Sequence, residues 1–203
     1  MKFNPADLNR HQSHDLLADC LTPRPIAFVS TVGEGGVYNL APFSYVTPMC
    51  NCPMIVGFGI GRKGKGQKKD TLLNIEFAKE FVINIVTESL AEAMAKTAKA
   101  YPAEVDEFKE AGLTPVSAER VKPPMVAESP INMECRLTRI LDFGVFPDCN
   151  DFVIGEVVRI HVKDEFMADR RVQPLKLQSI GRLGGPATTY CRTTDIFKIR
   201  LDG

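Results

Sequence analysis

The segment PIAFVSTVGEGGVYNLAPFSYV, residues 25–46, decides the fold because it places two apolar runs on either side of a glycine-rich turn. The runs at 25–31 and 37–46 have the β-branched and aromatic composition of strands. Glycines in the connecting VGEGG supply the positive φ angles of a tight hairpin, so the two strands should be antiparallel. Pro42 cannot donate to a strand ladder, which predicts a sheet edge or a bulge in the second strand.

Further runs of the same kind predict that strands dominate the chain. They occupy residues 53–60, 81–86, 131–141, 152–162 and 196–201. The chain has no internal repeat and no regular alternation of strands and helices. The pattern therefore predicts a mainly β fold, a mostly antiparallel barrel with appended α-helices, as a single domain over residues 1–203.

Helix signals are fewer than strand signals. Asp70 is the expected N-cap of a helix over 71–80, and Ser89 or Glu88 should open a helix over 90–101. A shorter helix is expected over 7–17, whereas the proline-containing segment 102–129 should be mostly loop.

The overall charge argues against a polyanion-binding surface. The 25 Lys and Arg residues balance 25 Asp and Glu residues, so the chain has no net charge and no nucleic-acid partner is expected. No apolar run approaches the roughly 18 residues of a membrane span. The first residues also lack the apolar core of a signal peptide. We expect a soluble cytoplasmic protein without a membrane partner.

The six cysteines do not predict a metal or redox motif, because none forms a CxxC pair. Cys50 and Cys52 form a CxC that we interpret as small packing residues. His11 and His14 have no third ligand of a suitable type nearby, so no metal site is expected.

The segment RKGKGQKKDTLLNI, residues 62–75, begins with five cations and two glycines within eight residues. It is open to several interpretations. A solvated loop is what such a charge run usually is. A nucleic-acid patch would need aromatic residues, which 61–74 lacks. The glycines of 59–64 match GxGxxG, but the expected N-cap lies six residues later and no second βαβ unit follows.

A further interpretation is an anion site at the start of the helix. Free backbone N–H groups and the helix dipole attract anions there, and the Thr71 hydroxyl could add a donor. One phosphate monoester would suit this helix start together with Arg62 and Lys69.

Several motifs occur in an order that resembles the flavin reductase-like, FMN-binding split-barrel family, which includes flavoredoxin. They are RPIAFVST (24–31), NLAPFSYV (39–46), KDTLLNI (69–75), FVINIV (81–86), VIGEVVRIHV (153–162) and IGRLGG (180–185) followed by Tyr190. The resemblance runs from about residue 20 to the C-terminus. It implies a six-stranded FMN-binding split β-barrel, usually a homodimer, with one FMN per subunit near the subunit interface.

The resemblance also implies a set of flavin-binding positions. They are Ser30, Thr31, Asn39, Leu40, Ala41, Pro42, Phe43, Ser44, Tyr45, Lys69, Asp70 and Thr71, with Arg62 on the phosphate and Arg182 and Tyr190 near the flavin pocket. Many members carry a histidine, associated with the nicotinamide pocket, just before the strand that here begins at Phe152. This chain has Asn150 and Asp151 instead, and His161 is expected to be a packed or capped residue.

The chain contains no recognisable Ser/His/Asp set, HExxH motif or paired acids, as expected where a flavin carries the chemistry. The resemblance therefore implies an FMN-dependent oxidoreductase that passes electrons from NAD(P)H or a protein donor to a flavin or another acceptor. The alternative is a non-catalytic FMN-binding electron carrier.

Overall fold

The computed structural model describes residues 1–185 and 188–199. Its strands are β1 (Ala27–Val32), β2 (Tyr38–Phe43), β3 (Val46–Asn51), β4 (Met54–Gly61), β5 (Glu80–Ile85), β6 (Pro115–Val116), β7 (Met125–Val126), β8 (Ile131–Phe143), β9 (Asn150–Val162), β10 (Met167–Ala168), β11 (Arg171–Val172), β12 (Ile180–Arg182) and β13 (Tyr190–Arg192). Its helices are α1 (Arg10–Cys20), α2 (Asp70–Ala78), α3 (Ala91–Thr97), α4 (Glu107–Ala111) and α5 (Pro174–Leu177). Within these described residues, no helix is long and apolar enough to cross a membrane.

The main sheet has seven strands in the order β2-β1-β5-β8-β9-β4-β3, and every neighbouring pair is antiparallel. Its two edge strands, β2 and β3, are consecutive in the chain and are joined only by Ser44 and Tyr45. The sheet must therefore curl until these edges meet, and the Gly59 N–H donates to the Tyr45 carbonyl at 2.7 Å at that point. This geometry confirms the predicted antiparallel barrel with appended helices.

The hairpin prediction is confirmed, because β1 and β2 pair in register from Ala27 with Phe43 to Val32 with Tyr38. Gly36 has a φ of 79° in the turn. Pro42 lies in an edge strand, as expected. The implied strand count of six was too low, because the chain forms another strand directly after Tyr45.

Other boundaries differ from the predictions for local reasons. Asn9 and Gln12 form a capping box that starts α1 at Arg10 rather than at residue 7. Lys69, not Asp70, is the N-cap of α2. The segment 102–129 contains α4, and the strand predicted at 196–201 is wrong for residues 196–199, which form no strand. Residues 200–201 lie outside the described residues.

Strand β1 is buried on both faces and so joins two apolar cores. Ala27 and Val29 face the barrel interior, where they cluster with Phe58 and Phe81. Phe28 points to the opposite side, where α3 and α4 complete a second cluster. Each fully buried phenylalanine contributes about 1.5–3 kcal/mol. This double burial fixes β1 and β2 as a rigid base for α2 and the basic loop before it.

Candidate functional site

Most of the basic loop is neutralised by carboxylates of the same chain. Three cations of residues 62–69 form ion pairs: Arg62 with Asp151 at 2.8 Å, Lys63 with Asp70 at 2.6 Å and Lys68 with Glu76 at 2.5 Å. Lys65 is exposed. The loop is therefore not a uniform basic patch, and the position of Lys69 becomes the informative one.

Lys69 is half-buried at the N-terminus of α2, and its Nζ lies 5.5 Å from the centre of the Phe43 ring. Among the residues that the structure describes, no carboxylate forms an ion pair with it. Burial, and then the positive charge of Lys63, lower the pKa of the Lys69 ammonium. An anion bound beside Lys69 would stabilise its charged form, and the first N–H groups of α2 point to the same end of the helix.

A buried polar network holds the first turn of α2 against the hairpin. The Thr71 and Thr31 hydroxyls donate to Asn39 Oδ1 at 2.7 Å and 3.2 Å. Asn74 Nδ2 donates to the Thr31 hydroxyl at 3.0 Å. Because the Thr71 proton is directed at Asn39 and the residue is buried, Thr71 is not oriented as the phosphate donor expected above.

Glu107 of α4 sets the direction of this network. Its carboxylate accepts from Asn39 Nδ2 at 2.8 Å and from the Leu40 N–H at 3.1 Å. Because both oxygens of Glu107 accept in this arrangement, the Asn39 amide turns its own oxygen toward the threonines. Burial raises the pKa of Glu107 against the lowering effect of these hydrogen bonds. Sequence reasoning missed Glu107, which lies 68 positions beyond Asn39 in the chain.

Two other expected residues are committed to partners in the protein. Ser30 is buried on the opposite face of β1 from Thr31, where its hydroxyl donates to the Pro124 carbonyl. Arg62 Nη2 contacts both Asp151 oxygens at 2.8–2.9 Å, while its buried Nε has no hydrogen-bond partner among the residues that the structure describes. Burial raises the pKa of Asp151. Arg62 would have to leave Asp151 to make its strongest contact with a phosphate.

A cavity of about 480 Å³ opens beside Ser44 and Tyr45, where the edges of the barrel meet. Its lining is mainly apolar and consists of Leu17, Cys20, Leu21, Thr22, Pro23, Arg24, Pro25, Ser44, Tyr45, Val46, Thr47 and Phe152. Gly59 allows the close approach of Tyr45, because a Cβ at Gly59 would lie 3.2 Å from the Tyr45 Cβ. Since Phe43 precedes Ser44, the segment 43–45 runs from the Lys69 side chain to the cavity wall.

Arg24 organises the cavity wall; it begins the RPIAFVST motif but was not among the predicted flavin-binding positions. Its guanidinium donates to Ser44 Oγ at 3.4 Å, to carbonyls at the end of α1 and to the Leu183 carbonyl at 3.3 Å. It also lies 5.7 Å from the centre of the Tyr45 ring. Arg24 thereby ties α1, the start of β1 and the segment after β12 to one wall.

The remaining expected residues divide between the cavity and its surroundings. Leu40 is fully buried in the core. Ala41 and Pro42 are half-buried on the edge strand. The Arg182 guanidinium lies 5.2 Å from the centre of the Tyr190 ring, and the Arg182 backbone pairs with that of Arg24. The pair is thus linked to the cavity through Arg24 rather than lining it.

Away from this region, His161 is a packed residue, as predicted. Its Nε2 lies 2.6 Å from Oε1 of the buried Glu134. Burial alone would raise the pKa of Glu134, but the hydrogen bonds from His161 and from the backbone N–H groups of Glu119 and Arg120 lower it overall. The packing interpretation of Cys50 and Cys52 is wrong, because both thiols are exposed. The described residues contain no group of three or more His, Cys, Asp or Glu side chains able to hold a metal.

Comparisons with known proteins identify the family. A protein of Halalkalibacterium halodurans without an assigned function is 38% identical over 187 residues, which cover 91% of this chain and 90% of that protein. Nitrilotriacetate monooxygenase component B from Bacillus cereus has a TM-score of 0.93 and 34% identity, with 98% of both chains covered. The 2-nitrobenzoate 2-nitroreductase NbaA of Pseudomonas fluorescens has a TM-score of 0.88 and 30% identity, covering 99% of this chain and 96% of that chain. The model of the flavin reductase like domain matches residues 19–176, and the chain therefore belongs to the flavin reductase-like family.

Proposed function

We propose that this protein is a cytoplasmic FMN-dependent oxidoreductase that passes electrons from NAD(P)H or a protein donor to a flavin or another acceptor. The observation that carries the proposal is Lys69, a half-buried cation at a helix N-terminus that has no carboxylate partner among the described residues. The similar structures of a monooxygenase component and a nitroreductase support an oxidoreductase.

The residues present fit FMN at two places. Lys69 and the first N–H groups of α2 would hold its terminal phosphate, because a helix N-terminus and an ammonium both favour a dianion. The mainly apolar cavity beside Ser44 and Tyr45 would receive the planar ring system and exclude water from it. When bound, the flavin supplies hydride and electron transfer, whereas the protein binds and orients it.

Arg24 and Glu107 have supporting roles in this proposal. Arg24 fixes Ser44 and Tyr45 at the cavity wall through its contacts with α1 and Leu183. Glu107 fixes Asn39, which in turn holds Thr71 and the first turn of α2. Neither side chain needs to contact the flavin for its loss to disturb the site.

We also propose a homodimer, as the family resemblance implies.

A non-catalytic electron carrier remains the second candidate function. Asp151 favours the carrier, because a carboxylate paired with Arg62 lies where many family members have a histidine of the nicotinamide pocket.

The test has two steps. The purified protein should be yellow, or should become yellow on adding FMN, and heat should release FMN. A colourless protein that also fails to bind added FMN would refute the proposal. Rapid bleaching of the bound flavin by NADH or NADPH in a stopped-flow instrument would support the reductase, and its absence would support the carrier.

A further inference from the structure

The segment 194–199 exposes an unusual amount of apolar surface. Its side chains are all exposed, with Ile196 at 56%, Phe197 at 85% and Ile199 at 73%. The sequence predicts a strand at 196–201, yet the described residues 196–199 form no strand. Large apolar side chains in such a row mark an interaction surface.

The base of this segment is fixed to its own subunit. Arg192 pairs with Glu88 through two hydrogen bonds of 2.5 Å and 2.8 Å, and the Thr193 hydroxyl donates to the Ser179 carbonyl at 2.8 Å. In the β12–β13 hairpin, Arg192 pairs with Ile180 at one end and Tyr190 pairs with Arg182 at the other. The chain thus leaves the hairpin at the end beside Ser179.

The cavity of the same subunit lies toward the opposite end of this hairpin. Arg24, which lines the cavity, binds the backbone of Arg182 and the carbonyl of Leu183. The Gly185 N–H continues this contact by donating to Asp19 at the end of α1. Residues 194–199 therefore start on the side away from their own cavity, which favours a receiver on a second copy of the chain.

The cavity mouth has matching apolar surface. Leu17 and Leu21, which line it, are 51% and 59% exposed. Met49 is 48% exposed, and both its sulfur and the cavity-lining Phe152 lie against Gly57. This mouth, formed by Leu17, Leu21, Met49 and Phe152, opens on the cavity of about 480 Å³.

Main-chain pairing with either sheet edge is a poorer alternative for residues 194–199. On β2, the Glu107 carboxylate occupies the Leu40 N–H. On β3, Pro48 lacks an N–H, and the register shifts between Pro48 and Cys50. A proline and a bulge both discourage an added strand. Side-chain packing on the cavity mouth meets neither obstacle.

We propose that residues 194–199 form an intersubunit arm that packs Phe197 and Ile199 over the cavity mouth of a second copy of this chain. Two-fold symmetry makes the exchange reciprocal, so each subunit covers the cavity of its partner. This inference rests on the homodimer proposed above, and it adds the segment that closes the site.

The test compares the Phe197→Ser/Ile199→Ser double variant with the Lys198→Ser control, which changes an exposed residue of the same segment. Sedimentation over a concentration series measures the dimer dissociation constant of each full-length protein. The double variant should dimerise about tenfold or more weakly, since truncation of an interface anchor commonly has that effect. The control should match the unaltered chain. Equal dimerisation of all three proteins would overturn the arm.

A photoreactive benzoyl-phenylalanine in place of Phe197 locates the receiver. Cross-linking should give a product of two chains, joined at Leu17, Leu21 or Met49 in a peptide map. A link within one chain, or to a different surface of the partner, would overturn the arm. If the unaltered chain is a monomer, the homodimer and the arm both fail. FMN binding, measured separately by absorbance, then decides the cofactor proposal independently.

Discussion

Replacing Lys69 by Ala separates phosphate capture from a merely solvated loop. If the Lys69 ammonium holds the FMN phosphate, its loss removes one charge-assisted contact, worth about 1.5–3 kcal/mol. FMN affinity should then fall about 10- to 150-fold. Because Lys69 has no carboxylate partner in the described part of the chain and loses only its approach to Phe43, the free energy of unfolding without flavin should change by less than about 1 kcal/mol.

Riboflavin, which lacks the phosphate, supplies the control ligand for this substitution. Its affinity, measured by quenching of flavin fluorescence, should be nearly the same for the Lys69→Ala variant and the unaltered protein. Lys65→Ala is the matched control variant, because Lys65 is an exposed cation of the same loop. An equal loss for FMN and riboflavin would mean that Lys69 shapes the pocket generally. No loss for either ligand would refute the phosphate assignment and leave only a solvated loop.

Three further predictions follow from buried or exposed ionisable groups. The pKa of Lys69 is lowered in the protein without a bound anion, so FMN affinity should fall as pH rises through that pKa, by up to about tenfold per pH unit. Riboflavin affinity, measured in parallel titrations, should not fall in this way. Glu134→Gln should lower the free energy of unfolding, measured in urea, by about 1.5–3 kcal/mol, because the buried carboxylate accepts hydrogen bonds from three backbone N–H groups. The control Glu119→Gln, at an exposed ion pair, should lower it by less than about 1 kcal/mol, and equal losses for the two variants would contradict this prediction. Iodoacetamide should label the exposed Cys50 in the native protein but not Cys135, whose pKa is raised by burial, and peptide mass analysis would detect either exception.

The sequence predicted the hairpin and the antiparallel barrel but not strand β3, which brings the main sheet to seven strands. The β1–β2 pair depends on apolar runs and a glycine turn within residues 25–46, so it can be read from one segment. Strand β3 is mostly exposed and forms because β4 pairs with it, so its sequence carries only a weak apolar signal. The helix α4 was missed because prolines on both sides of it suggested a loop, although Asp106 caps its first turn.

The part of the candidate site that the sequence predicted is the cation at the start of α2. Lys69 could be found because a cation at a helix N-terminus is visible in the sequence. The pairing of Arg62 with Asp151 could not be found, since its two members are 89 positions apart and meet only across β4 and β9. Arg24 is hidden for the same reason, as its carbonyl partners come from α1 and from Leu183.

The direction of a buried proton changes which groups can serve as donors in the anion site. Sequence reasoning treated Thr71 as a hydroxyl aimed at a phosphate. Glu107 instead accepts from the Asn39 amide N–H and so turns Asn39 Oδ1 toward Thr71, and that oxygen accepts the Thr71 proton. In the anion site proposed above, the donors at the start of α2 are then the Lys69 ammonium and the backbone N–H groups. A carboxylate on another helix thereby affects a proposed site that it does not line, because it fixes the Asn39 amide that lies between Glu107 and Thr71.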